Sequence, residues 1–187
     1  MNFLASREQL RASLIRWSLI CVPACLLLGF FSGQLAGGGP GDPWFDALSK
    51  PLIYPPAAVF PVAWSILYAM MGFALALVGS AWGARGRGLA IAVFVVQFLV
   101  NLAWSPVFFG MHRISGGLIV IAIMDMLVLA TIVLFWRVRK SAGLLLLPYL
   151  GWILFASVLN YEFLRLNPQA DGAAGATGAS ARVRIGN

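Results

Sequence analysis

Charged residues are scarce in this sequence, and only six of them are acidic. Asp, Glu, Lys and Arg together make up 10% of the 187 residues, whereas 61% are hydrophobic. Because soluble domains carry roughly 25% charged residues, this composition excludes an ordinary water-soluble globular protein. The net charge of +7 comes from 13 Lys and Arg that stand singly or in small groups between apolar runs. That pattern is typical of charge flanking membrane spans, and we therefore expect a lipid bilayer and not a nucleic acid as the partner.

Residues that commonly carry out chemistry are also few. The chain has one histidine, His112, and two cysteines, Cys21 and Cys25, which lie one helical turn apart in an apolar run. No set of Cys, His or acidic residues has the spacing of metal ligands, and no nucleophile stands in a pattern with a general base. The sequence contains no P-loop or dinucleotide fingerprint. We therefore expect no catalytic residue, no metal site and no required cofactor.

Five apolar runs are long enough to cross a bilayer as helices, which takes about 20 residues each. They are Trp17–Leu35, Ala57–Val78, Leu89–Phe109, Ile114–Trp136 and Ala142–Tyr161. The sequence therefore predicts an all-α membrane protein built as a five-transmembrane-helix bundle. Residues 14–167 form this membrane domain, residues 1–13 an N-terminal extension, and residues 168–187, rich in small residues, a disordered tail.

The ends of the spans predict an orientation. Five spans place the two termini on opposite sides, and the basic residues then divide eight against five. The larger group consists of Arg7, Arg11, Arg16, Arg85, Arg87, Arg137, Arg139 and Lys140. Because basic residues favour the cytoplasmic side, we expect the N-terminus in the cytoplasm and the loop Gly37–Pro56 outside. The first run lacks a clear signal-peptidase site at its exit, so we expect it to be retained as a span.

Polar and aromatic side chains recur at helical spacing in three of the spans. These faces consist of Trp64 and Tyr68 in the second span, Gln97, Asn101 and Trp104 in the third, and Tyr149, Trp152, Ala156 and Asn160 in the fifth. Amides in hydrocarbon need hydrogen-bond partners, so the faces should point into the bundle. Two interpretations stand at this stage: hydrogen bonding between helices, or convergence on one cavity.

Two further features of the spans have alternative explanations. Asp125 lies in the middle of the fourth span, where a carboxyl is a candidate for function or is protonated and hydrogen-bonded to a neighbouring helix. Cys25, Gly29, Gly33 and Gly37 follow each other at four-residue spacing, which permits close helix contact. We favour contact within the bundle over contact between two copies of the chain.

The end of the fifth span matches a pattern proposed for sterol contact. Its residues are Leu159, Tyr161 and Arg165. The pattern is weak, and the same residues suit an aromatic and basic anchor at the membrane interface.

Three stretches resemble the translocator protein family (TspO/MBR, the tryptophan-rich sensory proteins). The first is WFDALSKP at residues 44–51 with YPP at 54–56, followed by Phe60, Trp64, Leu67 and Tyr68. The second is NLAWSPVFFG at residues 101–110, and the third is PYLGW at 148–152, followed by Ala156 and Asn160. The stretches have the order and separations of that family over residues 15–167.

The resemblance implies a pocket within the bundle, open towards the first loop and covered by it. It implies a receptor or regulator of hydrophobic ligands such as porphyrins (protoporphyrin IX or haem) and sterols, located in a bacterial membrane as a homodimer. Transport of such ligands and light-dependent porphyrin degradation are alternatives. The implied ligand-binding residues are Trp64, Tyr68, Asn101, Trp104, Tyr149, Trp152, Ala156 and Asn160, and the implied lid residues are Trp44, Lys50, Pro51, Pro55 and Pro56.

Two positions depart from the family pattern. Ile53 and Ala58 stand where family members usually have tryptophan. We expect the loss of two indoles on the pocket side, and with it a larger pocket.

The acidic groups of a porphyrin need partners, because burying a carboxylate alone is costly. We therefore expect them to meet cations at the mouth of the pocket. The basic residues on that side of the predicted topology are Lys50, His112, Arg113 and Arg165.

Overall fold

The computed structural model describes residues 6–172, which form helices and connecting segments without a strand. The α-helices are α1 (Arg7–Ala36), α2 (Pro43–Ala47), α3 (Val59–Gly79), α4 (Arg87–Ser105), α5 (Ile114–Val138), α6 (Lys140–Leu145) and α7 (Leu147–Leu166). Five stretches of this part of the chain are long and apolar enough to cross a membrane: α1, α3, α4 with its extension to Gly110, α5, and α6 with α7. The predicted all-α bundle of five spans is confirmed.

Helix α1 begins at Arg7, well before the predicted apolar run, which starts at Trp17. Ser6 accepts a hydrogen bond from Gln9 N at 3.2 Å, and Ser6 N donates to Gln9 Oε1 at 2.9 Å, which forms a capping box. The helix ends at Gly37, whose φ of 65° suits a residue without a Cβ atom. The segment predicted as an N-terminal extension therefore contributes the first turns of α1.

Prolines shape the ends of α4 and α7. Pro106 lacks an N–H, and the chain there passes from α4 into a wider π-helical turn, Pro106–Gly110. Pro148 similarly follows a break at Leu146, which separates the short α6 from α7 within the fifth span. The first of these turns places a cluster of aromatic rings at the end of α4, next to the first loop (residues 37–58).

Helices α1 and α3 pack closely because glycines remove side chains from their contact. A Cβ atom on Gly72 would lie 2.6 Å from Val22 Cα, and one on Gly79 would lie 2.5 Å from the Trp17 ring. A neighbouring backbone cannot move aside as a flexible side chain can. Gly72 is therefore required at this crossing.

The stripe of small residues on α1 divides into two parts. Cys25 is buried in the core, and Gly29 packs against the ring of Tyr68, so this part makes the contact within the bundle that we favoured. A Cβ atom on Gly33 would meet none of the described side chains or backbone within 4 Å, and Gly37 caps the helix. Helices α1 and α3 therefore separate beyond Gly29, towards the first loop. A homodimer stays a prediction.

The first loop docks on the ends of α4, α5 and α7 through its own apolar cluster. The buried members are Phe45, Leu48, Phe108, Ile114, Leu159 and Phe163. Helix α2 brings Phe45 into this cluster, and Asp42 caps α2 by accepting a hydrogen bond from Phe45 N at 2.8 Å. The loop is thereby fixed over one end of the bundle. Which side of the membrane it faces stays a prediction.

Gly72→Ala should destabilise the protein, because the added methyl group meets the backbone of α1. Overpacking of this kind costs about 1–3 kcal/mol. The thermal unfolding midpoint in detergent can be read with a thiol-reactive dye, since Cys21 and Cys25 are buried in the fold.

Gly151→Ala is the matched control for that measurement. Gly151 is an exposed helical glycine whose added Cβ would meet none of the described atoms within 4 Å. Its midpoint should stay the same or rise, since alanine favours a helix over glycine. Equal midpoints for Gly72→Ala and the parent would show that the α1–α3 crossing tolerates a wider separation.

Candidate functional site

A cavity of about 590 Å³ lies inside the bundle on the side of the first loop. It is bounded by α1, α3, α4, α5 and α7, and by part of the first loop. Its lining is mostly aromatic and aliphatic, and its volume lies in the range of about 300–1,000 Å³ found for small-molecule sites.

Seven of the eight residues predicted to bind ligand line this cavity. They are Trp64, Tyr68, Asn101, Trp104, Trp152, Ala156 and Asn160. The structure therefore brings together the polar and aromatic faces of three separate spans. Their role in binding a ligand stays a prediction.

Tyr149 does not line the cavity, contrary to the prediction. Its side chain is fully buried beneath Asn101, and its hydroxyl accepts a hydrogen bond from Asn101 Nδ2 at 2.9 Å and donates to Gln97 Oε1 at 3.2 Å. Tyr68 donates to Asn101 Oδ1 at 2.8 Å from the other side. Tyr149 and Trp152 share a face of α7, but Tyr149 lies deeper in the bundle, below the cavity.

Asn160 is also paired within the protein. Its Oδ1 accepts a hydrogen bond from Trp104 Nε1 at 3.2 Å, and its Nδ2 donates to Ile114 O at 2.9 Å. A Cβ atom on Gly117 would lie 2.9 Å from Asn160 Oδ1, so the glycine leaves room for the amide. Both interpretations of the polar faces therefore hold at once: the amides join helices, and the same faces line the cavity.

Trp152 differs from these residues because its indole N–H is unpaired among the described residues. The nitrogen is also buried. A buried donor without a partner costs about 1–3 kcal/mol. The nitrogen is closed off from the cavity as well, so the cavity wall presents the indole ring of Trp152 and not its N–H.

The cavity opens to the side, between α1 and α3. The lining residues at this opening are exposed on both helices: Phe30, Gly33 and Gln34 on α1, and Pro61 and Ser65 on α3. This is where the two helices separate. The resemblance implied an opening towards the first loop. The structure has a lateral gap between α1 and α3.

The first loop covers the cavity with residues other than those predicted. Phe45, Tyr54 and Ala57 line the cavity, whereas Trp44, Lys50, Pro51, Pro55 and Pro56 do not. The reason is local: the cap of α2 turns Phe45 inwards, and a turn in which Tyr54 N donates to Pro51 O at 2.9 Å does the same for Tyr54. Burial raises the pKa of the Tyr54 hydroxyl, and the charge of Asp46 acts in the same direction.

Trp44 anchors the first loop to the turn before α5 and to the segment after α7. Its ring stacks on His112 with 4.5 Å between centroids, and its Nε1 donates to Ala170 O at 3.3 Å. His112 lies in the turn before α5, where its φ of 54° is unusual for a residue with a Cβ atom. Residues 168–172, part of the predicted disordered tail, are thus folded against the loop, and residues 173–187 of that tail lie outside the described part of the chain.

The basic residues expected at the mouth of the pocket do not belong to the cavity lining. None of Lys50, His112, Arg113 and Arg165 lines the cavity. Lys50 Nζ donates to Phe45 O and lies 3.8 Å from the centre of the Phe45 ring, and Arg165 pairs with Glu162 at 2.7 Å. Burial lowers the pKa of Lys50, and the charge of Asp46 partly offsets this.

Phe163 is a lining residue that the sequence reasoning missed. It contacts the loop rings of Phe45 and Tyr54, with centroids 5.9 and 5.7 Å away. It lies on the face of α7 that carries Trp152 and Ala156, so helical spacing alone was a sufficient signal for it.

The profile of the TspO/MBR family matches residues 21–166, which cover all the lining residues named above. The chain belongs to the TspO/MBR family. Together with the five apolar helices, this membership makes it an integral multi-pass membrane protein.

Several proteins are similar to this TspO/MBR chain over most of their length. The tryptophan-rich protein TspO of Chlorobaculum tepidum is 41% identical over 80% of this chain and 94% of its own. Protein CrtK of Rhodobacter capsulatus is 44% identical over 67% and 79%, respectively. The human translocator protein is 33% identical over 75% of this chain and 84% of its own.

The two positions that depart from the family pattern lie outside the cavity lining. Ile53 and Ala58 are exposed, and neither lines the cavity. The turn that directs Tyr54 inwards directs Ile53 outwards. A larger pocket through the loss of these two indoles stays a prediction.

The remaining candidates lie elsewhere in this TspO/MBR protein. Asp125 Oδ2 accepts a hydrogen bond from Ser157 Oγ at 2.8 Å, between α5 and α7 and outside the cavity lining. Within the sterol-type pattern, Leu159 lines the cavity, whereas Tyr161 is 54% exposed on the outside of α7. The residues of the pattern therefore lie on two different sides of α7.

Tyr149→Phe should destabilise the fold while leaving the lining of the cavity intact. The substitution removes a hydroxyl that pairs with both Asn101 and Gln97, and unpaired buried polar groups cost about 1–3 kcal/mol. Tyr161→Phe, at an exposed position of the same helix, is the control and should leave the unfolding midpoint unchanged. Equal midpoints for the two variants would mean that the network contributes nothing to stability.

Proposed function

We propose that this TspO/MBR protein is a membrane receptor or regulator that binds a large, flat hydrophobic ligand in the cavity. Porphyrins are the first candidate class and sterol-like molecules the second. The observation that carries the proposal is the cavity itself, about 590 Å³ inside the bundle and lined by aromatic rings from α3, α4 and α7.

The walls of the cavity favour a flat, conjugated ligand. Trp64 and Tyr68 stack with centroids 5.2 Å apart, and Trp104 and Phe108 stack at 4.9 Å. Such rings offer broad apolar surfaces with little side-chain freedom to lose on binding. A planar macrocycle would gain contact with these ring faces over most of its area.

The polar groups of the lining are neutral in the described part of the chain. A carboxylate placed deep in the cavity would have no cation to pair with, at a high cost in free energy. The apolar body of the ligand therefore belongs inside, and any acidic group belongs at the opening near Gln34 and Ser65. An esterified porphyrin should consequently bind at least as well as the free acid.

The proposal is tested by titrating the purified protein in the dark with protoporphyrin IX and with its dimethyl ester. Quenching of tryptophan fluorescence should saturate with both ligands. Weaker binding of the ester than of the free acid would contradict a neutral interior. Loss of porphyrin absorbance in a parallel illuminated sample would instead indicate light-dependent degradation.

Trp152→Phe should weaken porphyrin binding by about 2- to 12-fold, because the smaller ring offers less stacking surface and an aromatic contact is worth about 0.5–1.5 kcal/mol. The dissociation constant must come from the midpoint of the titration, since the variant also loses a fluorophore. Trp136→Phe, on an exposed face of α5, loses a fluorophore outside the cavity and should bind as the parent does. Unchanged binding in both Trp152→Phe and Ala156→Leu, which narrows the cavity, would place the ligand elsewhere.

A further inference from the structure

The segment after α7 contacts the first loop at two points. Asn167 forms a pair of hydrogen bonds with the backbone of Ser49: Ser49 N donates to Asn167 Oδ1 at 2.7 Å, and Asn167 Nδ2 donates to Ser49 O at 3.0 Å. Further along, Ala170 O accepts a hydrogen bond from Trp44 Nε1 at 3.3 Å. These partners are more than a hundred residues apart in the sequence. We call residues 167–172 the C-terminal clasp.

The other end of the clasp is anchored at the start of α5. Asp171 Oδ1 accepts a hydrogen bond from Ser115 N at 3.0 Å, and Gly172 N donates to His112 O at 2.8 Å. Arg113, the residue before α5, provides no side-chain cap, so Asp171 supplies the acceptor that the helix start lacks. Burial alone would raise the pKa of Asp171, but the bonds to Ser115 and the charge of Arg113 lower it overall.

The clasp contacts the first loop on both sides of the residues that cover the cavity. Trp44 and Ser49, its two contacts, flank Phe45 and Leu48, which are buried in the cluster below the loop. Phe45 lines the cavity. Releasing the clasp would therefore leave this cover attached by its apolar contacts alone.

We propose that Asp171 and Asn167 are positioning residues, which fix the first loop over the cavity through the C-terminal clasp and thereby slow the exchange of ligand. The idea rests on the proposed function of the cavity. The bundle below the loop is joined by buried hydrogen bonds, so the loop is the part of the enclosure that can move without breaking them. A hydrogen bond to a charged group changes an equilibrium by about tenfold or more.

The experiment compares two variants of Asp171 in the full-length protein. Asp171→Ala removes the acceptor, whereas Asp171→Asn keeps an oxygen at the same place. Gln169→Ala is the matched control, because Gln169 lies in the clasp with an exposed side chain. The readouts are hydrogen–deuterium exchange of loop residues 42–56 and the dissociation rate of protoporphyrin IX dimethyl ester.

We expect Asp171→Ala to raise both loop exchange and the ligand dissociation rate by about tenfold, in line with the loss of one charge-assisted hydrogen bond. Asp171→Asn should recover much of the difference, and Gln169→Ala should match the parent. A purely structural role would lower the thermal midpoint without this recovery. If Asp171→Ala fails to fold, Trp44→Phe tests the same idea, since it removes the N–H bonded to Ala170 O and keeps a ring against His112.

Two results would overturn the proposal. One is parent-like loop exchange in Asp171→Ala, which would show that the clasp does not fix the loop. The other is faster loop exchange with an unchanged ligand dissociation rate, which would show that the loop does not control access, and that the lateral gap between α1 and α3 does. Failure of the parent to bind any porphyrin would contradict the proposed function instead, and loop exchange would then still decide whether the clasp fixes the loop.

Discussion

The structure depends on the pairing of amide side chains in a hydrocarbon environment. Asn101 accepts a hydrogen bond from Tyr68 and donates one to Tyr149, so a single side chain joins α3, α4 and α7. In the membrane no water is available to replace these partners. A rotation or shift of one helix would leave a buried donor or acceptor unpaired, and the relative positions of the helices are therefore set at this level of the bundle.

The same pairing determines what the cavity presents to a ligand. Because the amides of Asn101 and Asn160 are bonded to other helices, the surface facing the cavity consists mainly of aromatic rings. A site of this kind selects ligands by shape and by apolar contact. Its walls need little reordering on binding, which reduces the free energy lost when a ligand enters.

The spans and their inward faces could be predicted from the sequence because hydrocarbon constrains both. It requires a minimum length of apolar helix, and it requires polar residues to turn towards partners, so helical spacing reveals the inner face. Spacing does not reveal depth, however, which is why Tyr149 and Trp152 looked equivalent although only Trp152 reaches the cavity. Phe163 has the spacing of Trp152 and Ala156, and it was missed because only polar and family-matching positions were followed along that face.

The first loop could not be predicted in this way, since a segment rich in Gly and Pro has no period. Phe45, and not Trp44, covers the cavity because of the cap on α2 and because Trp44 is bonded to Ala170, 126 residues away in the sequence. Contacts at such separations leave no local pattern.

The walls of the cavity and its cover, the first loop, are therefore held by two different kinds of contact. Buried pairs within the bundle fix the walls and so the fit of the ligand. Contacts at the loop end, which water can replace at lower cost, fix the cover, and under the proposed role of the clasp they would set the rate at which a ligand passes it.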